Sequence, residues 1–302
     1  AVGLRRVPAS ESAFLYDDLL AKLLAQGRIE FDLESFREMA RSEGILGDPA
    51  SRENVRSIGI RSFMHPIDNL ENRCERVLNL VPYFDGRYIR DPEDWRRSVH
   101  PDLREFVLDA ARASDRLRVI LDTHVSLAFA VGALLNVKSG KRIEIEQRTG
   151  GRRFWSVNDG TSDSSWPGFV FEHEQLAEGR EEIAVTVSLT HDVARDAGAF
   201  VAGQLPQVAH VLHCRLEGGP SQHALRCGRH AWQLAEALVR RLSELRAQRQ
   251  RFARVHFFLA GPNGFAFFLG QHQQAIGSAF VYEWDFDGLR DGSYSLGLFV
   301  DP

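Results

Sequence analysis

At 302 residues and 34.1 kDa the chain is long enough for two packed lobes or one large α/β domain. Its 44% apolar and 26% charged residues give a globular rather than disordered composition, and a formal charge of −4 with a pI near 6.3 excludes a bulk polyanion binder of the basic kind. Three cysteines without a Cys-x-x-Cys pair argue against a disulfide scaffold, and no apolar run approaches the roughly 20 residues of a membrane span or opens the chain as a signal peptide, so a cytoplasmic protein is expected.

The first 75 residues read as short helices. Residues 12–26 carry Leu15, Leu19, Leu23 and Leu24 at helical spacing before Gly27. Asp32 is placed to cap a second helix over 33–43, which Gly44 ends. Residues 77–84 and 87–90 flank Asp85-Gly86, a dipeptide that favours a tight hairpin. A helical pattern returns over 92–113 through Trp95, Leu103, Phe106, Val107 and Ala110. The apolar run 117–121 leads through Asp122-Thr123-His124 into a small-residue helix over 125–135. Residues 141–147 alternate Ile143 and Ile145 with Glu144 and Glu146, as a half-buried strand does, and Gly150-Gly151 turns the chain into 152–157. A polar loop follows over 158–167.

The second half is more regular. Strands over 183–189, 208–216, 254–259, 280–285 and 294–300 alternate with helices over 192–205, 229–249 and 264–275. Continuous apolar strands alternating with helices imply a mostly parallel sheet covered on both faces, a Rossmann-like α/β fold. Internal echoes point to two related lobes. Arg118-Val119 and Arg254-Val255 each begin a strand, and Ala-Phe-x-x-Gly recurs at Ala128, Phe129, Gly132 and at Ala266, Phe267, Gly270. Thr-His follows a strand at Thr123-His124 and again at Thr190-His191. Matches this short also arise by chance.

Ligands of open parallel sheets bind beyond the carboxyl ends of the strands, where helix N-termini present N–H groups. The turns expected there, 122–126, 190–192, 217–221 and 260–264, carry Thr, His, Ser, Asn and Gly, either as donors to a phosphate or ribose or simply as helix caps. Gly261-Pro262-Asn263-Gly264 resembles a phosphate loop but matches no nucleotide-triphosphate motif and has no Lys. Phe154, Trp155 and Trp166 flank Arg148, Arg152 and Arg153, either an aromatic and cationic cluster for a base and its phosphate or a core Trp beside exposed arginines. Tyr282 and Trp284 share one strand face, a core pattern. His210, His213, Cys214, His223, Cys227 and His230 look at first like a metal site, but His210 and Cys214, four apart on a strand, share one face while His213 faces away, and Cys227 and His230 are three apart near a helix start. Zinc is the minor reading beside buried thiols with satisfied histidines, so no metal is expected. Ser126 and Ser221 each have a histidine within two residues but no nucleophile-elbow motif.

Four stretches together resemble the SAVED family, the cyclic-oligonucleotide sensors of bacterial CBASS antiphage systems. They are 121–132 (LDTHVSLAFAVG), 217–222 (EGGPSQ), 254–270 (RVHFFLAGPNGFAFFLG) and 281–285 (VYEWD), and the likeness covers about the last 200 residues. The resemblance implies two fused CARF-like lobes, here over 76–176 and 177–302, preceded by a helical N-terminal region or connector over 1–75. It implies a cyclic di- or trinucleotide bound between the lobes, no further cofactor, ligand-induced homo-oligomerisation, and activation of an effector such as a nuclease, a TIR enzyme or a protease. Carried over, Thr123, His124 and Ser126 match the lobe-one loop, and Gly261, Pro262 and Asn263 the lobe-two loop. Arg153 and Trp155 become the phosphate and base contacts of the intervening hairpin, and Thr190, His191 and Ser221 complete the expected ligand set. No HNH, TIR or nuclease signature is visible in residues 1–116, so the effector is expected upstream or on a separate partner. The alternatives are a phosphodiester hydrolase or ring nuclease built on Asp122, His124 or His191, and a scaffold whose polar turns only cap helices.

Overall fold

The computed structural model describes residues 55–63, 69–148, 152–178, 181–249, 253–285 and 293–301. The helices expected over 12–26 and 33–43 lie outside them. Two sheets form the body. The first runs in the order β2 (Arg76–Asn79), β1 (Arg56–Arg61), β5 (Arg116–Asp122), β6 (Arg142–Gln147), β7 (Arg153–Trp155). The second runs β13 (Tyr294–Val300), β12 (Ala279–Trp284), β11 (Arg254–Ala260), β9 (Glu182–Ser188), β10 (Val208–Leu216), β8 (Phe169–Gln175). A separate hairpin, β3 (Phe84–Asp85) and β4 (Tyr88–Ile89), turns at Gly86, whose φ of 57° suits the expected Asp-Gly turn.

The two sheets repeat one topology. In the first, β5 is flanked by parallel β1 and β6, with β2 parallel outside β1 and β7 antiparallel outside β6. In the second, β11 is flanked by parallel β9 and β12, with β10 parallel outside β9 and β13 antiparallel outside β12. Only β8, antiparallel on β10, has no counterpart. The helices are α1 (His100–Ala113), α2 (Val125–Leu134), α3 (Ala194–Gln204), α4 (Gly228–Arg249), α5 (Asn263–Gly270) and α6 (Gln273–Ile276). This is the expected pair of fused Rossmann-like lobes with mostly parallel sheets.

Several expectations are corrected. Residues 56–61, expected in a helical region, form the strand β1 with Ile58 and Ile60 fully buried, so the boundary expected at 75 falls inside the first sheet. The short Ile-Gly-Ile core between arginines hid the strand. β8 was not expected. It alternates half-buried Phe169 and Phe171 with exposed Val170, Glu172 and Glu174, an edge strand with one covered face, and it places the second sheet's first strand ahead of the expected 176/177 boundary. The helix expected over 264–275 breaks at Gln271-His272 into α5 and α6.

The Ala-Phe-x-x-Gly echo is the true repeat: it lies in α2 after β5 and in α5 after β11. Arg118-Val119 and Arg254-Val255 are not equivalent, because the first stands ten residues before Ala128 and the second twelve before Ala266. Nor is Thr-His, which follows β5 once and β9 once. From Ser126 to Gly132 and from Gly264 to Gly270 every residue is buried, since the two helices pack on each other between the sheets. Their glycines make this possible. A Cβ on Gly132 would overlap the carbonyl oxygen of Phe267, and a Cβ on Gly270 would overlap that of Phe129, each lying 2.9 Å from the carbonyl carbon. The contact is reciprocal, backbone against backbone. Gly132→Ala and Gly270→Ala are each expected to cost about 2–3 kcal/mol of stability, read as a lower urea midpoint. The double variant should lose less than the sum, because one separation of the helices relieves both overlaps. Wild-type stability in Gly132→Ala would refute the close approach.

Candidate functional site

The turns leaving the two central strands converge. They line a cleft of about 430 Å³, within the usual range for small-ligand sites. Thr123 and His124 reach it from the end of β5, and Gly261, Pro262 and Asn263 from the end of β11. Thr190 and His191 enter after β9, Ser221 from the loop ahead of α4, and Trp155 from β7. Two expected residues do not line it. Ser126 is wholly buried beneath β13, where a Cβ on Gly297 would stand 2.9 Å from its Oγ, and Arg153 is exposed on β7.

The cleft also contains residues to which the sequence reading gave no role. Arg87 arrives at the tip of the β3–β4 hairpin, its guanidinium 4.8 Å from the ring centre of Phe63. Its one signal was its place after the Asp-Gly turn. Gln147, Glu283 and Trp284 come from the ends of β6 and β12. Tyr282 does lie in core, with Phe200, Phe258 and Tyr294, but half-buried Trp284 reaches the cleft wall. Trp155 lines the cleft yet is only 5% exposed, its ring 3.0 Å from a Cβ placed on Gly264. Little of that ring is open to a base.

His124 is fully engaged. Its Nε2 lies 2.9 Å from the Arg87 carbonyl oxygen, which can only accept, so Nε2 carries the proton. Nδ1 then accepts from the Ser62 hydroxyl at 2.6 Å, while the His124 backbone N–H donates to the same Oγ at 2.9 Å. The ring stacks on Phe84 at 4.5 Å, and burial holds its pKa below the ordinary imidazole value, against the raising influence of Glu283. Such a ring has no nitrogen left to move a substrate proton. This removes His124 from the hydrolase alternative. His191 is exposed and its Nδ1 lies 3.1 Å from the hydroxyl of Thr190.

The helix starts differ in how they are closed. At α2 the Ser126 N–H donates to Glu283 Oε1 at 2.8 Å. Ala194 at the start of α3 donates to Asp192 Oδ1 at 2.9 Å. Gly228 and Arg229 of α4 donate to the two oxygens of Asp159 at 2.8 and 2.7 Å, which is what the polar loop after β7 does structurally. At α5 the Phe265 and Ala266 N–H groups turn back to the Pro262 carbonyl, at 2.9 and 3.3 Å, and no acidic residue lies in the first turn. The Asn263 amide nitrogen is engaged across the lobes, donating to the Thr123 carbonyl at 2.9 Å. Thr123 Oγ1 is buried without a partner among the described residues.

The histidine and cysteine cluster weighed for zinc is dispersed. His210 lies 3.2 Å from His173, His213 is 2.8 Å from Thr186, and His230 is 2.9 Å from the Pro167 carbonyl. Among the described residues no group of three or more His, Cys, Asp or Glu could hold a metal ion. No described helix is long and apolar enough to cross a membrane.

The family model described as "SMODS-associated and fused to various effectors sensor domain", or SAVED, matches residues 99–300. The chain belongs to the SAVED family. CD-NTase-associated protein 4 of Enterobacter hormaechei subsp. hoffmannii (strain UCI 50) is 30% identical over 287 residues, which are 94% of this chain and 56% of that protein. The SAVED chain thus spans little more than half the length of this relative. Among solved structures, the Acinetobacter baumannii Cap4 SAVED/CARF-domain containing receptor with the cyclic trinucleotide 2′3′3′-cAAA superposes with a TM-score of 0.62 at 16% identity, covering 99% of this chain and 63% of that one. The same receptor with 3′3′3′-cAAA gives 0.60 at 16% identity and the same coverage. The Moraxella osloensis Cap4 receptor gives 0.53 at 17% identity, covering 98% and 61%. At these identities the likeness establishes the shared fold.

Six histidines (100, 124, 213, 230, 256 and 272) have pKa values held down, in each case first by burial. In the unfolded chain they protonate near the ordinary value of about 6.5, so below that pH the unfolded state binds more protons and gains. Stability is therefore expected to be full above about pH 7 and to fall as the pH drops toward 5. Urea midpoints at pH 7.5 and 5.5 test this, and equal midpoints would contradict it.

Proposed function

We propose that this SAVED chain senses a cyclic di- or trinucleotide, held in the cleft between its lobes. Ligand-driven oligomerisation then activates an effector, fused or separate, such as a nuclease, a TIR enzyme or a protease, in bacterial cytoplasmic antiphage defence. One observation carries the reading: the β5 and β11 turns open onto a single cleft in which the start of α5 has no carboxylate on it. A nucleotide phosphate there meets N–H groups and the positive end of the helix, so net basic charge is unnecessary. Half-buried Trp284 and Phe63 offer rings on which bases stack, and Arg87 brings a cation beside Phe63. This chemistry calls for no cofactor. Family membership supports it, as do the two fold neighbours whose names carry a cyclic trinucleotide.

Calorimetric titration of cyclic di- and trinucleotides is expected to give submicromolar binding to one of them. Silence across the panel would overturn the reading, and recovery of linearised ligand would restore the hydrolase alternative. Light scattering should show a rise in mass with ligand, and a strictly monomeric complex would remove the oligomerisation step.

Trp284→Ala is expected to weaken binding by about 1–3 kcal/mol, as loss of one stacked base does. Trp155→Ala, by contrast, should cost about 3 kcal/mol or more of stability, because its ring is core. A folded Trp284→Ala protein with unchanged affinity would take Trp284 out of the site.

A further inference from the structure

The repeated topology makes the two lobes comparable residue by residue, and one pair of cleft residues differs in charge. Val119 of β5 stands ten residues before Phe129, and Phe257 of β11 ten before Phe267, so the two strands correspond. Val119 pairs with Ile145 and Phe257 with Val281. Two residues further on come Gln147 and Glu283, which therefore hold the same place in β6 and β12. Both line the cleft. Each faces the helix start of the other lobe: Glu283 accepts the Ser126 N–H of α2 at 2.8 Å, and Gln147 Oε1 lies 3.2 Å from a Cβ placed on Gly264, the α5 residue equivalent to Ser126.

We propose that this Gln/Glu pair decides which half of the cleft receives a phosphate of the ligand. The Glu283 carboxylate fills the start of α2 as an internal anion and repels a second one, whereas the Gln147 amide beside the start of α5 adds no charge there. Three observations converge there. α2, α3 and α4 each begin on a carboxylate oxygen, whereas α5, like α1 and α6, does not. Thr123 Oγ1, buried and without a partner among the described residues, belongs to a residue lining the same cleft. The residues facing the two helix starts, Gln147 and Glu283, are nearly isosteric and differ by a single charge. The inference rests on the sensor reading only in taking the anion to be a nucleotide phosphate.

Two near-isosteric variants test it. Glu283→Gln keeps the acceptor for Ser126 and removes the charge, so calorimetric affinity for 3′3′3′-cAAA should rise about fivefold. Gln147→Glu puts a second carboxylate beside α5 and should lower that affinity about tenfold or more. Inorganic phosphate supplies a readout free of the nucleotide: in amide NMR it should shift Asn263 and Gly264 but not Ser126, and Gln147→Glu should abolish the shift. If the wild type and both variants bind no cyclic di- or trinucleotide of the panel but phosphate shifts Gly264 in this way, the charge assignment stands and the sensor reading fails. A weakened or unchanged Glu283→Gln, a Gln147→Glu protein of wild-type affinity, or a phosphate shift at Ser126 in the wild type would overturn the proposal.

Discussion

The backbone contact between α2 and α5 governs the geometry of everything around it. Two helices can approach until one backbone meets the other only where no side chain intervenes, and Gly132 and Gly270 supply that gap on opposite partners. The approach buries both helices on nearly all sides, so beyond Ser126 and Asn263 their residues are apolar all round. It also fixes their starts side by side. Polar ties then clamp α5 along α2: Asn263 donates to the Thr123 carbonyl at one end, and Gln271 donates to the Leu135 carbonyl at 2.7 Å at the other. The cleft is a consequence of this packing. It lies where the two fused helices begin, beyond the carboxyl ends of β5 and β11.

Electrostatics inside the cleft comes from helix ends and their caps more than from side-chain cations. His124 is neutral by burial and by the use of both its ring nitrogens, so it shapes the wall without charging it. Glu283 adds a negative charge on one side, and Arg87 a positive one beside Phe63. On the reading proposed above, a site so arranged would take an anion at a defined point, whereas a basic groove would attract any polyanion. The chain's overall charge of −4 agrees with the former.

The central elements were legible because their signals are local. Continuous apolar strands, the Asp-Gly turn and the seam of α4 all lie within short windows, and the Ala-Phe-x-x-Gly repeat announced the glycines that fuse the lobes. Thr-His misled because two residues carry little information, and its copies stand after β5 and β9, which are not equivalent strands. β1 and β8 escaped notice for the opposite reason: one is a three-residue apolar core between arginines, the other an edge strand dense in charge. Ser126 and Trp155 were placed correctly along the chain, but their burial depends on Gly297 and on α5, far away in sequence. Glu283 could not have been assigned from the sequence at all. Its partner is the backbone N–H of a residue 157 positions earlier, and a backbone donor leaves no residue signature.

A fused centre also limits how a bound ligand can act on the protein. Helices in backbone contact cannot slide without breaking the reciprocal fit, and packed interiors resist continuous deformation. The parts of the cleft that can respond are therefore on its rim. The β3–β4 hairpin is attached there through the His124–Arg87 carbonyl bond and through Tyr88, whose hydroxyl bonds Asp285 at the end of β12 in the other lobe. Thr190-His191 and the exposed loop around Ser221 lie on the same rim, joined by the Ser221 N–H to the Leu189 carbonyl at 2.8 Å. The hairpin belongs to one lobe and the two turns to the other. A ligand touching both would bridge the two lobes at exposed surface.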